Sequence, residues 1–122
     1  MFARLLIYLL VGHCIGDWWL QSDNMALTKD RQILILIEHS LIYSIITALC
    51  GFYVTGSLNV FIALLIYNMG IHMILDIRCF TKGWIHIFIT KERPRDWIVF
   101  VLDQTFHFVS LVFIAELLTK GV

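Results

Sequence analysis

The stretch Asn68-Met69-Gly70-Ile71-His72-Met73-Ile74-Leu75-Asp76 interrupts an otherwise apolar run from Leu58 to Ile77. Asn68, His72 and Asp76 recur every four residues, so on a helix they stack on one face. A run of this length with so few charges reads as a membrane span. Ionisable groups inside such a span are costly and mark functional candidates by default. The same spacing recurs at His13/Asp17 and at Asp103/His107.

Composition agrees with a bilayer. The chain has 122 residues, 60% of them hydrophobic, with a mean hydropathy of +0.85. Soluble domains are roughly 45–50% apolar, and this excess is too large for a soluble core to hide. Residues 1–122 read as a single membrane domain. The formal net charge of +0 leaves no basic field for a nucleic-acid scaffold. Cys14, Cys50 and Cys79 are odd in number and lack a C-x-x-C spacing. A zinc ribbon is excluded, and the cysteines read as small apolar side chains.

The expected fold is all-α: a polytopic membrane protein with four transmembrane helices in an antiparallel bundle. The spans fall at about 2–20, 32–53, 58–77 and 96–118. The first apolar run meets Asp17-Trp18-Trp19 without a small-x-small cleavage site, so it reads as a retained span rather than a signal peptide. Within it, Gly12 and Gly16 would let a second helix approach closely. Residues 21–31 read as a polar loop. Trp84 to Ile89 is apolar but too short to cross, so an interfacial or re-entrant segment is expected between helices three and four. Loops one and three hold Lys29, Arg31, Arg78, Lys82, Lys91, Arg93 and Arg95, against Arg4 and Lys120 on the other side. The positive-inside rule then makes those loops cytoplasmic and puts both termini outside. Trp18, Trp19, Trp84 and Trp97 all fall at that cytoplasmic boundary, where amphipathic rings suit the headgroup layer.

Depth brings the polar residues together. At about 1.5 Å per residue, His13, Asp17, His39, His72, Asp76, Asp103 and His107 all lie within roughly 2–16 Å of the cytoplasmic interface. The carboxylates are expected to have no Lys or Arg at their depth, so something must compensate their charge. A divalent metal suits: imidazole favours zinc and carboxylates add charge. Helical bundles build di-metal sites from such inward pairs, and seven candidate ligands leave room for two ions. Gln21, Glu38, Asn68 and Gln104 would support the ligands by hydrogen bonding. The competing reading is a metal-free His/Asp hydrogen-bond network. His86 reads as an interfacial histidine; Asp23, Asp30, Glu92 and Asp96 read as solvated; Met25, Met69 and Met73 read as packing. Tyr43, one turn after His39, reads as packing with a hydrogen bond into the site as its alternative.

Gly12-His13-(x)3-Asp17-(x)2-Leu20-Gln21-(x)3-Met25-Ala26, a histidine in span two, His72-(x)3-Asp76 and Leu102-Asp103-Gln104-(x)2-His107 together resemble a known family. It comprises small bacterial and phage integral-membrane proteins classed as a domain of unknown function. A more distant likeness is to predicted inner-membrane, metal-dependent hydrolases. The resemblance implies a bacterial inner membrane, and its recurring residues map onto His13, Asp17, Gln21, His39, His72, Asp76, Asp103, Gln104 and His107. It carries over no settled activity.

Three functions follow as expectations. One is a metal-dependent hydrolase acting from the cytoplasmic side on a phosphate-containing lipid or nucleotide. There Asp103 and Asp17 are the catalytic carboxylates, and Arg93 and Arg95 of the loop Lys91-Glu92-Arg93-Pro94-Arg95 hold phosphate. The second is a metal or proton transporter or sensor, for which a homo-oligomer could line a pathway. The outer halves of the spans are poor in polar groups, which speaks against a continuous route. The third is a non-catalytic membrane protein whose metal only ties helices together.

Overall fold

A computed structural model describes residues 1–90 and 92–120; Lys91, in the basic loop, lies outside the described residues. Six α-helices follow in order: α1 (Phe2–His13), α2 (Asp23–Thr28), α3 (Ile33–Thr55), α4 (Leu58–Asp76), α5 (Cys79–Phe88) and α6 (Asp96–Lys120). A π-helical segment, Cys14–Trp19, continues α1.

The long helices form a ring. α1 packs on α3, α3 on α4, α4 on α6 and α6 back on α1. Neither diagonal pair packs directly among the described residues, so side chains from all four elements fill the axis. Short connections enforce antiparallel neighbours. Gly56, at φ 65°, closes α3, and Ser57 Oγ accepts from Val60 N–H at 3.4 Å to start α4. Glycines set the closest approaches. A Cβ on Gly12 would meet Thr47 Cα at 3.2 Å, and one on Gly16 would meet Tyr43 Cα at 3.1 Å. The small-residue pair therefore seats the first span against α3.

Three helices, α3, α4 and α6, are long and apolar enough to cross a membrane. The sequence led us to expect four. The first span is not a continuous α-helix: α1 stops at His13 after 12 residues. The chain then widens into the π segment, closed by Leu20 N–H donating to the Ile15 carbonyl at 2.9 Å. Such i→i+5 segments occur mostly as single turns and are frequent at functional sites, and this one carries Asp17. Two further expectations are refined. The loop over residues 21–31 contains α2, capped by Ser22 Oγ accepting from Met25 N–H at 3.2 Å. The short apolar piece around Trp84 belongs to α5 and begins earlier, at Cys79.

Burial is inverted relative to a soluble protein. Leu34, Ile66 and Val109 project outward from the long helices, whereas His13, His39, Asn68, His72, Asp76 and His107 are buried. One half of the ring is packed around an apolar cluster of Leu5, Leu9, Ala48, Leu64, Leu111 and Ala115. The other half holds the polar residues.

Candidate metal centre

Four elements deliver the polar groups to one place. The π segment carries Asp17, α3 carries His39 and Tyr43, α4 carries His72 and Asp76, and α6 carries Asp103, Gln104 and His107. In each helix the pair is spaced by four residues, so both members face the axis.

The centre is a group of four. One ligand atom each from Asp17, His39, His72 and Asp76 lie within 4.8 Å of one another, and all four residues are buried. His39 Nε2 stands 3.0 Å from Asp17 Oδ1 and 3.2 Å from Asp76 Oδ2. His72 Nε2 stands 3.2 Å from Asp76 Oδ2 and 3.0 Å from His39 Nε2. Two ring nitrogens that close can share one proton between them. Two carboxylate oxygens converge on the same point, so the arrangement demands a cation. Two histidines and two carboxylates are a donor set that fits zinc or a similar divalent ion.

Lys29 answers that demand, and it corrects the expectation that no basic side chain reaches this depth. It follows α2, its side chain is 5% exposed, and its Nζ stands 2.8 Å from Asp76 Oδ2 and 3.4 Å from Asp17 Oδ1. Nζ is also 3.2 Å from His39 Nε2. The contact to Asp76 is an ion pair by distance, without hydrogen-bond alignment on either carboxylate oxygen. Lys29 is not the solvated loop charge that the positive-inside reading made of it. The uncompensated carboxylates were the signal: a cation was needed, and Lys29 is the basic residue that follows Asp17 most closely in the chain.

Beside the group of four lies a second set of acceptors. His107 Nδ1–H donates to the Asp103 carbonyl at 2.8 Å, which leaves the Nε2 lone pair free. That atom stands 3.6 Å from Asp76 Oδ1. His107 Nε2, Asp76 Oδ1 and Asp103 Oδ1 are all buried without a hydrogen-bond partner among the described residues. Asp76 thus turns one oxygen to the group of four and the other to His107.

His13 is placed differently from the other histidines. Gln104 Nε2 donates to Asp17 Oδ2 at 3.1 Å and to Asp103 Oδ2 at 3.4 Å. Its Oε1 therefore accepts, from Trp18 Nε1–H at 3.1 Å and His13 Nε2–H at 2.9 Å. His13 Nδ1 then accepts from the Tyr43 hydroxyl at 3.2 Å. Both His13 nitrogens are engaged by hydrogen bonds, and through Gln104 His13 is linked to Asp17.

Tyr43 does more than pack. Its ring stacks on His72 with centroids 3.7 Å apart and planes 9° apart, fixing the face of that imidazole. Trp18, read from sequence only as an interfacial ring, also belongs here through Gln104. The remaining expected residues fall outside. Glu38 is exposed on the outer face of α3. Asn68 Nδ2 donates to Thr47 Oγ1 at 2.8 Å, deeper along the axis. Gln21 is half-buried with its Oε1 unpartnered among the described residues.

A cavity of about 490 Å³ lies towards the α2 and α5 side. Arg93 lines it and Arg95 does not; Arg31, Arg78 and Lys82 line it as well. Arg95 instead offers its carbonyl to Ile98 N–H at 3.0 Å at the start of α6.

The fold and site define an apolar helical ring with a buried His/Asp/Lys cluster in one half. Residues 5–122 match the family described as Protein of unknown function (DUF3307), and the chain belongs to that family. Comparison with curated proteins and with solved structures gave no match.

Proposed function

We propose that the protein is a four-span membrane-embedded metalloprotein, a hydrolase acting from the cytoplasmic side on a phosphate-containing substrate. The single observation that carries the metal is the convergence of Asp17, His39, His72 and Asp76 within 4.8 Å. Zinc fits the donors. A second ion, between Asp76 Oδ1 and His107 Nε2, is supported by the unpartnered state of both atoms. A bound divalent ion supplies Lewis acidity towards a phosphoryl oxygen. Asp103, with Oδ1 unpartnered, is the general base. Asp17, whose Oδ2 is held by Gln104, serves as a ligand. The placement reads as one domain over residues 1–122 in a bacterial inner membrane. α1 and the π segment together form the fourth span, loops one and three are cytoplasmic, and both termini are outside.

The apolar half argues against transport. Leu5, Leu9, Leu64 and Leu111 are fully buried there, and a route across should be polar along its length.

A second reading rests on Lys29. Its ammonium already stands among Asp17, His39 and Asp76, so a metal-free ion network is the alternative. Elemental analysis of protein purified without chelator separates the two. Stoichiometric divalent metal, lost in Asp76→Ala, supports the centre; its absence overturns it in favour of the network. If metal is present, hydrolysis of a phosphate ester that falls in Asp103→Asn with metal retained supports catalysis. Unchanged hydrolysis removes Asp103 from the chemistry.

A further inference from the structure

The cavity next to the metal centre carries an inference of its own. It continues the site along two elements. On α6, Asp96, Val99 and Phe100 line it, and Asp103 follows on the same face about 6 Å past Val99. At the end of α4, Asp76 is a ligand residue and Arg78, two positions on, lines the cavity. A molecule seated there extends towards Asp103.

Arg78 is the unusual residue. It is the only non-glycine residue with positive φ among the described residues, at 59°. It follows α4 in the position that glycine ordinarily takes after a helix. Its Nε is buried and has no hydrogen-bond partner among the described residues. A turn alone would be better served by glycine, as Gly56 serves the other corner. A guanidinium held in a disfavoured backbone state, with a buried donor unmet, points to an absent acceptor.

Charge and shape describe that acceptor. Arg31, Lys82 and Arg93 line the same cavity as Arg78. Among the described residues, Arg78, Lys82 and Arg93 make no ion pair within 4.0 Å, although Glu92 and Asp96 are close at hand; Arg31 reaches Asp30 only at 3.9 Å. The positive-inside rule accounts for basic side chains on this side of the membrane. It does not account for a buried, unpaired guanidinium nitrogen. Asp30, Glu92 and Asp96 also line the cavity, and two apolar side chains of its lining are exposed, Leu27 at 75% and Phe100 at 53%.

We infer that this cavity binds the phosphate group of an anionic amphiphile, with Arg78 and Lys82 as its anchors and the exposed Leu27 and Phe100 against its hydrocarbon part. Guanidinium suits phosphate because its planar fork donates two parallel hydrogen bonds. This deepens the hydrolase reading by naming the substrate class, and it rests on that reading only for what happens to the lipid after binding.

Native mass spectrometry of the full chain in phosphatidylcholine bilayers doped with phosphatidate tests it, with metal content measured on the same samples. The wild type should retain phosphatidate in preference to phosphatidylcholine. Arg78→Gly keeps the backbone in its preferred state and removes the guanidinium; Lys82→Gln changes an exposed helical position. Each should weaken retention about ten- to hundredfold, the loss of one charge-assisted interaction. Arg95→Gln, outside the cavity, should retain it. Glycerol 3-phosphate in solution should compete poorly; equal competition would overturn the amphiphile in favour of a soluble phosphate ester. Equal retention by all variants would overturn the site. Metal lost with retention intact would overturn the metal centre and leave the cavity standing, and the reverse result would do the opposite.

Discussion

The two halves of the helical ring are built from the same four elements and hold themselves together by different means. In the half near Gly56, Leu5, Leu9, Leu64 and Leu111 belong to one apolar cluster, and Gly51 makes room for the Leu64 side chain. In the half near Arg78, the axis is filled by imidazoles, carboxylates and one ammonium. The apolar half depends chiefly on shape, through close packing and small residues. The polar half depends on charge balance, and every buried charge there must be answered. A change in one half should therefore register as lost packing, and a change in the other as an unpaired ion.

The largest effect is expected from Asp76→Ala. It leaves Lys29 without its closest carboxylate and two imidazoles without a shared oxygen, which should cost about 3–5 kcal/mol. Chemical unfolding in detergent reads the stability, and elemental analysis should read no metal. Stability within error of the wild type would show that the polar half is not balanced as described. In the apolar half, Leu64→Ala should cost about 2 kcal/mol through the cavity it leaves. Its metal content should match the wild type, and a parallel loss of metal would merge the two halves into one cooperative unit.

Lys29→Met sharpens the comparison within the polar half. With a metal in the centre, ammonium and metal would compete for Asp17, His39 and Asp76, so removing the ammonium should tighten metal binding by at least about tenfold. Titration with zinc against a competing chelator measures this. In a metal-free network the same variant would instead lose about 3–5 kcal/mol of stability with nothing to restore it. The two outcomes have opposite signs for the zinc-supplemented protein.

Much of this was legible in the chain. Fourfold spacing gave the inward faces of His72/Asp76 and Asp103/His107, and depth arithmetic put the clustered histidines and aspartates at one level. Lys29 was not legible, because a loop lysine beside Asp30 and Arg31 looks like any solvated charge until α2 turns it inward. His13 could not be separated from the group of four, since its two partners, Tyr43 and Gln104, lie 30 and 91 positions away. The π segment was hidden for a related reason: Cys14–Trp19 reads as apolar helix, and the extra residue in its turn leaves no mark in periodicity over so short a run. Glu38, adjacent to His39, shows the opposite error. A neighbour in sequence is about 100° away on a helix, and it points outward.

The smallest effects lie at the two corners, and their signs should differ. Gly56 and Arg78 adopt nearly the same backbone, at φ 65° and 59°. Gly56→Ala puts a Cβ where L-residues are disfavoured and should destabilise by about 1 kcal/mol, with no Cβ contact to blame because nothing lies within 4 Å. Arg78→Gly relieves the same penalty and should stabilise by up to about 1 kcal/mol. It should do so while losing phosphatidate retention. A residue that weakens the fold and whose removal weakens binding is held for the ligand. Arg78→Gly that destabilised as much as Gly56→Ala would mean the guanidinium has a structural partner, and the corner would then be a turn like its counterpart.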